Sequence, residues 1–140
     1  MPENDSRLRF ELMSETDFYT MAASETFVLA MEFSPDWQLL AVYCRDCKIR
    51  VFHFATGRLL LTVDETVKAL QDAQEDVTND LVKFENEADF TAKMLAHKEA
   101  MRGWDTTDRA CLPGLVFDDT SSLLCFSSPI GIKVASVATG

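Results

Sequence analysis

The stretch FSPDWQLLAVYCRDCKIRVFHFATGRLLLTV, Phe33 to Val63, decides the fold. Apolar and polar residues alternate, a turn interrupts them, and the alternation resumes. Upstream, Val28–Phe33 leads into Ser34-Pro35-Asp36, a turn signal. Leu39–Tyr43 follows, and Cys44-Arg45-Asp46-Cys47 turns again. In Ile49–Phe54 the period of two sets Ile49 and Val51, with His53 at the margin, on one face. Arg50, Phe52 and Phe54 fall on the other. Ala55-Thr56-Gly57 turns a third time, into Arg58–Val63. Short strands at this spacing predict a four-stranded antiparallel meander.

A unit of about forty residues with four strands has the size of one propeller blade, and such units repeat. A second copy is present. Phe117-Asp-Asp-Thr-Ser-Ser-Leu-Leu-Cys-Phe-Ser-Ser aligns with Phe33-Ser-Pro-Asp-Trp-Gln-Leu-Leu-Ala-Val-Tyr-Cys. Gly131-Ile-Lys-Val-Ala-Ser-Val-Ala-Thr-Gly140 aligns with Lys48-Ile-Arg-Val-Phe-His-Phe-Ala-Thr-Gly57, with one residue fewer in the second turn. Strand and turn residues recur together. The second copy ends at Gly140, where its fourth strand should begin, so a fragment of a longer protein is expected.

Composition narrows the function classes. The chain has 140 residues, 47% hydrophobic and 26% charged, which is ordinary globular usage. No apolar run approaches ~18 residues, so no membrane-spanning helix is expected. The start, MPENDSRLRF, lacks the apolar core of a secretory signal. A net charge of −10 argues against a nucleic-acid surface, which needs clustered Lys and Arg. Four cysteines without such a signal point to a reducing compartment and free thiols. The acidity is uneven: residues 64–102 hold ten acids and five bases, residues 27–63 three acids and four bases. The middle therefore reads as a different kind of structure.

The residues FSPD…LLA…RDCKIRVFHFATGRLL resemble a WD repeat. The agreement lies at Phe33, Ser34, Pro35, Asp36, Asp46, Ile49, Arg50, Val51, Thr56 and Gly57. Phe52 stands where the signature Trp usually lies, His53 where its Asp lies, and the opening Gly-His pair is absent. The hydrogen-bonded network of the signature is thus incomplete, and hydrophobic packing is expected to hold the blade. Asp36, Asp46, Phe52 and Gly57 are the structural positions that this resemblance marks. Trp37 replaces the Gly of the first turn, where positive φ costs a bulky residue roughly 1–2 kcal/mol.

ETDFYTM at 15–21, IRVFHFATGRLLLTVDET at 49–66, an acidic helical stretch and VFDDTSSLLCF…GIKVASVATG together resemble the peptidylprolyl isomerase domain and WD repeat-containing proteins. These are nuclear, spliceosome-associated cyclophilins with an N-terminal WD-repeat propeller. The resemblance implies a mainly β fold: a partial WD-repeat β-propeller of about two blades with a helical insertion between them. The implied organisation is residues 1–26 as the end of a preceding blade and a connector, 27–63 as a blade, 64–111 as the acidic insertion and linker, and 112–140 as a truncated second blade. Other proteins, spliceosomal by resemblance, and the remaining blades are the implied partners, in the nucleus, without direct nucleic-acid or membrane contact. The function implied is a protein-interaction scaffold. Two alternatives stay open: a peptidylprolyl isomerase label whose cyclophilin domain is absent from this chain, and a WD-repeat protein of an unrelated pathway.

The insertion also reads from its residues. Val67, Leu70, Val77, Leu81 and Phe84 recur at helical spacing. Asp64 and Lys68 stand four apart, a favourable helix pair, as do Asp89 and Lys93. Phe90, Met94, His97 and Met101 share one side of a second helix, with Gly103 and Pro113 as stop signals. Two solvated helices packed on the propeller satisfy this pattern. So does a partner-binding arm, whose acidic face would carry Asp72, Glu75, Asp76 and Asp80.

No catalytic residue, metal site or cofactor is expected. Cys44 and Cys47 form a CxxC without a second ligand pair: Cys111 and Cys125 are far apart, and His53 and His97 stand singly. Cys125 aligns with Ala41 and is expected as a small buried residue. Asp118-Asp119 falls in the turn matching Ser34-Pro35, where Asp is a turn former. Arg7 and Arg9 lie in an N-terminal strand candidate; Arg45, Arg50 and Arg58 belong to strands or turns; Arg102 and Arg109 close the insertion.

Overall fold

The computed structural model describes residues 15–75, 87–105 and 112–138. Four strands, β1 (Val28–Phe33), β2 (Leu39–Cys44), β3 (Lys48–His53) and β4 (Arg58–Asp64), form one sheet in chain order, each pair antiparallel. Three more, β5 (Leu115–Phe117), β6 (Leu123–Ser128) and β7 (Gly131–Ser136), form a second antiparallel sheet. A 3-10 turn at Asp17–Tyr19 runs into the short helix α1 (Thr20–Ala23) before the first sheet. Helices α2 (Val67–Glu75) and α3 (Glu87–Trp104) lie between the sheets in sequence. The protein is mainly β. The N-terminal strand candidate with Arg7 and Arg9, the helix positions Val77, Leu81 and Phe84, the acids Asp76 and Asp80, Arg109 and Cys111 lie outside the described residues.

The two copies build the same turn. Ser34 N donates to Leu39 O and Trp37 N to Ser34 O; one repeat later, Asp118 N donates to Leu123 O and Ser121 N to Asp118 O. The fourth turn residue has left-handed φ in both, +59° at Trp37 and +60° at Ser121. That is the strain expected where Trp37 replaces Gly. Ring packing of Trp37 on Phe33, centroids 5.0 Å apart, offsets part of it. Cys47, at φ +61°, closes the β2–β3 turn in the same conformation.

β2 and β3 are buried along nearly their whole length because both faces of the first sheet are covered. One face, with Ala41, Tyr43, Ile49 and Val51, packs against Leu115, Phe117, Leu124 and Phe126 of the second sheet. The opposite face, with Leu40, Val42, Cys44 and Phe52, is covered by Phe18 and Met21 from the N-terminal segment and by Phe33, Phe54 and Leu59. Phe52 is fully buried, its ring 4.7 Å from that of Phe18. Burial of each such side chain contributes about 1.5–3 kcal/mol.

The second sheet is covered on one face only. Val116, Cys125 and Val134 form one cross-strand row on its other face. There Val134 is 58% and Ile132 84% exposed. Cys125 is therefore half-buried rather than buried, because the face that covers Ala41 in the first sheet is open here.

Thr66 caps α2: its Oγ1 accepts the Ala69 amide at 3.2 Å. Asp64 is the last residue of β4 and accepts the Thr66 amide. The expected Asp64–Lys68 helix pair is thus replaced by a turn contact, since Asp64 precedes the helix. α3 buries Phe90, Met94, His97 and Trp104 and half-buries Met101, the face that the apolar spacing predicts. Gly103 lies inside the last turn of α3 rather than beyond it, because Trp104 still packs into the core. Leu70 of α2 meets Phe90 and Met94 of α3 in a separate cluster that includes Ile130 of the β6–β7 turn.

Candidate functional site

Of the residues marked by the WD-repeat resemblance, Asp36, Asp46 and Gly57 hold turns, while Phe52 is buried in β3. Asp36 is exposed; its Oδ1 accepts from the Ser34 hydroxyl and the Gln38 amide, which hold its carboxyl below the usual range. Asp46 takes a bidentate pair from Arg50, Nη2–Oδ2 at 2.7 Å, and accepts the Lys48 amide. That pairing keeps the buried Arg50 guanidinium charged. Gly57 has φ +67°, and a Cβ there would overlap Thr16. Its carbonyl accepts from the Asp17 amide and the Thr16 hydroxyl, while Asp17 Oδ2 accepts the Leu59 amide at 2.7 Å. The β3–β4 turn is thereby clamped to the segment before the first sheet. His53 Nδ1 lies 3.1 Å from Thr56 Oγ1, a local turn contact.

Of the acidic arm, Asp72 and Glu75 are both exposed on α2. Asp76 and Asp80 lie outside the described residues. In the second copy, Asp118 accepts from the Ser122 and Leu123 amides and from the Thr120 hydroxyl, which lower its pKa. It is a turn former, and Asp119 is exposed beside it.

Sequence reasoning missed the side chains that join the parts. Glu65 is 1% exposed and binds Lys133 Nζ and Ser128 Oγ, each at 2.8 Å, tying the end of β4 to the second sheet. Arg45 grips Asp105 bidentately, Nε–Oδ1 at 2.7 Å, and lies 5.9 Å from the Trp104 ring centroid. Trp104 in turn meets Tyr43 and His97 edge-on. His97 Nε2 lies 3.7 Å from Cys47 Sγ, which is 3.8 Å from Met101 Sδ. Burial lowers the His97 pKa, pushes the Cys47 thiol up to about 11, and raises the Cys44 thiol and the Tyr43 phenol. A cavity of about 340 Å³ opens between α3 and the second sheet, lined by Tyr43, His97, Trp104, Pro113, Ser127 and Pro129 among others. Among the described residues, no group of three His, Cys, Asp or Glu side chains is placed to hold a metal ion. No described helix is long and apolar enough to cross a membrane.

The described residues present repeated turns, two exposed acids on α2 and an open apolar sheet face. Known proteins with similar sequences include peptidyl-prolyl cis-trans isomerases. The chain is 34% identical over 139 residues to peptidyl-prolyl cis-trans isomerase CYP71 of Arabidopsis thaliana, covering 99% of this chain and 21% of that protein. It is 29% identical over 132 residues to the human peptidylprolyl isomerase domain and WD repeat-containing protein 1, covering 94% and 19% respectively. Peptidyl-prolyl cis-trans isomerase cyp15 of Rhizopus delemar is 26% identical over 140 residues, 99% of this chain and 21% of that protein. The chain thus spans about a fifth of the length of these relatives. No protein-family model matches the chain.

Proposed function

We propose that the chain works within a peptidyl-prolyl cis-trans isomerase of the WD-repeat kind, as propeller blades that bind other proteins. The observation that carries the propeller is the order of the faces. The Leu40–Val42 face of the first sheet corresponds in the repeat to the Leu124–Phe126 face of the second. The Ala41–Ile49–Val51 face of the first sheet packs on that Leu124–Phe126 face. Its own counterpart, Cys125–Ile132–Val134, stays open. Like units stacked front to back in this way extend around a ring. The relatives' names support the isomerase part and favour it over an unrelated WD-repeat pathway. The nuclear, spliceosome-associated setting belongs to the same proposal and rests on the WD-repeat cyclophilin resemblance alone.

A coupled protease assay on a Xaa-Pro peptide divides the proposal. The full-length product of the transcript should accelerate isomerisation, and cyclosporin should block it. The 140-residue chain should leave the uncatalysed time of ~10–100 s unchanged. A cyclosporin-sensitive rate in the short chain would place catalysis within it and overturn the scaffold reading. A full-length product without isomerase activity would remove the isomerase part.

A further inference from the structure

We propose that Cys47, His97 and Met101 form a buried three-coordinate site for a soft monovalent metal ion, copper(I). The three donors come from two elements. Cys47 is fixed in the β2–β3 turn by its left-handed φ and by its amide, which donates to Cys44 O. His97 and Met101 stand one turn apart on α3, so both face the same turn. The sulfur of Cys47 lies 3.7 Å from His97 Nε2 and 3.8 Å from Met101 Sδ.

Those separations suit a central ion. Metal–sulfur and metal–imidazole bonds of about 2.3 and 2.0 Å, opened to a trigonal angle, place sulfur and nitrogen about 3.7 Å apart. In the metal-free protein the Cys47 thiol makes weak sulfur hydrogen bonds with the same two partners. Thiolate, thioether and imidazole are donors that select copper(I), whereas zinc seeks four ligands and gains little from a thioether. His97 is held edge-on by Trp104 at 5.6 Å between ring centres, which fixes the ring plane. Burial disfavours the imidazolium and leaves the Nε2 lone pair free once the proton sits on Nδ1. His97 also lines the cavity beside α3.

Binding is a proton-for-metal exchange. The Cys47 S–H bond breaks, a sulfur–copper bond forms, and one proton leaves to solvent with no change of oxidation state. The site's charge changes by nothing, so burial does not oppose the exchange. Uptake should strengthen as pH rises, because the displaced proton is held tightly.

The test is an anaerobic titration of the full chain with copper(I) against a chromophoric chelator, read by chelator absorbance and by the thiolate-to-copper ultraviolet band. One equivalent should bind. Cys47→Ser should abolish the band. Met101→Leu, nearly the same shape, should weaken uptake at least about tenfold, the low end of the loss from a merely supporting partner. Cys44→Ala, Cys111→Ser and Cys125→Ser should retain the equivalent. Circular dichroism confirms that each variant stays folded. No uptake by the parent chain overturns the proposal. So does uptake indifferent to Met101, or zinc(II) bound as tightly as copper(I).

Discussion

Glu65 Oε1 and Lys133 Nζ meet at 2.8 Å, the carboxylate buried and the ammonium about a quarter exposed. The pair spans the junction of the two sheets, and the Ser128 hydroxyl completes it. Removing the lysine leaves a buried carboxylate with one neutral donor. Lys133→Met should therefore destabilise by about 3 kcal/mol, the low end for breaking a buried ion pair. Adding Glu65→Gln should restore part of that loss, since the stranded charge is gone. Urea unfolding of the single and double variants measures both; strictly additive losses would show that the two residues act separately.

Gly57→Ala meets two obstacles at once. Its φ of +67° costs a side chain about 1–2 kcal/mol, and the added Cβ overlaps Thr16. The loss should exceed 2 kcal/mol and release the segment around Phe18, seen as faster amide exchange at Leu59. Ser121→Gly probes the same conformation without a clash. It should change stability by under about 1 kcal/mol, because relief of strain and the entropy of glycine oppose each other. Equal losses in the two variants would refute the Thr16 clamp.

Acid should weaken the fold through His97. Burial holds its folded pKa below the unfolded value of 6.5. The unfolded chain then takes up a proton first as pH falls. The contribution is complete above pH 6.5 and is lost progressively below it, until the folded pKa is reached. Cys47 and Trp104 lie against the ring, and of the charges acting on it Glu65 opposes the shift and Arg45 adds to it. His97→Gln should flatten the stability profile below pH 6.5. A slope unchanged in that variant would move the effect to other groups. The Cys47 thiol acts at the other end: its pKa rises from 9.0 to about 11, so stability should decline as pH passes through that window.

The strands and the helical faces were legible because each has its own local period. β1 begins and ends at the residues that the alternation predicts, and β2, β3 and β4 differ by a residue or so at their ends. The face of α3 was legible from Phe90, Met94, His97 and Met101. The joints were not. Glu65 looks like any acid between a strand and a helix, and its partners lie in a distant part of the sequence. Arg45–Asp105 and Cys47–His97 join residues that no periodic pattern brings together. Asp64–Lys68 had the right spacing but the wrong backbone, since a strand end cannot present a helical pair. The half-burial of Cys125 depends on what covers the sheet, which no strand encodes for itself.

The open face of the second sheet should make the isolated chain self-associate. Val116, Ile132 and Val134 are each more than half exposed on it. Ile132→Lys with Val134→Lys should shift light-scattering mass toward the monomer and leave far-ultraviolet dichroism intact. A parent chain that is already a sharp monomer would refute the expectation.

The shared apolar layer between the sheets also limits how the chain can be divided. Leu124 and Phe126 are shielded largely by Ala41, Tyr43, Ile49 and Val51, which belong to the other sheet. A recombinant boundary drawn between β4 and β5 respects the repeat in sequence but cuts through the middle of the core. The modular unit for expression is therefore offset from the sequence repeat. It runs from the face of one sheet to the facing side of the next, and the two halves should melt in a single transition.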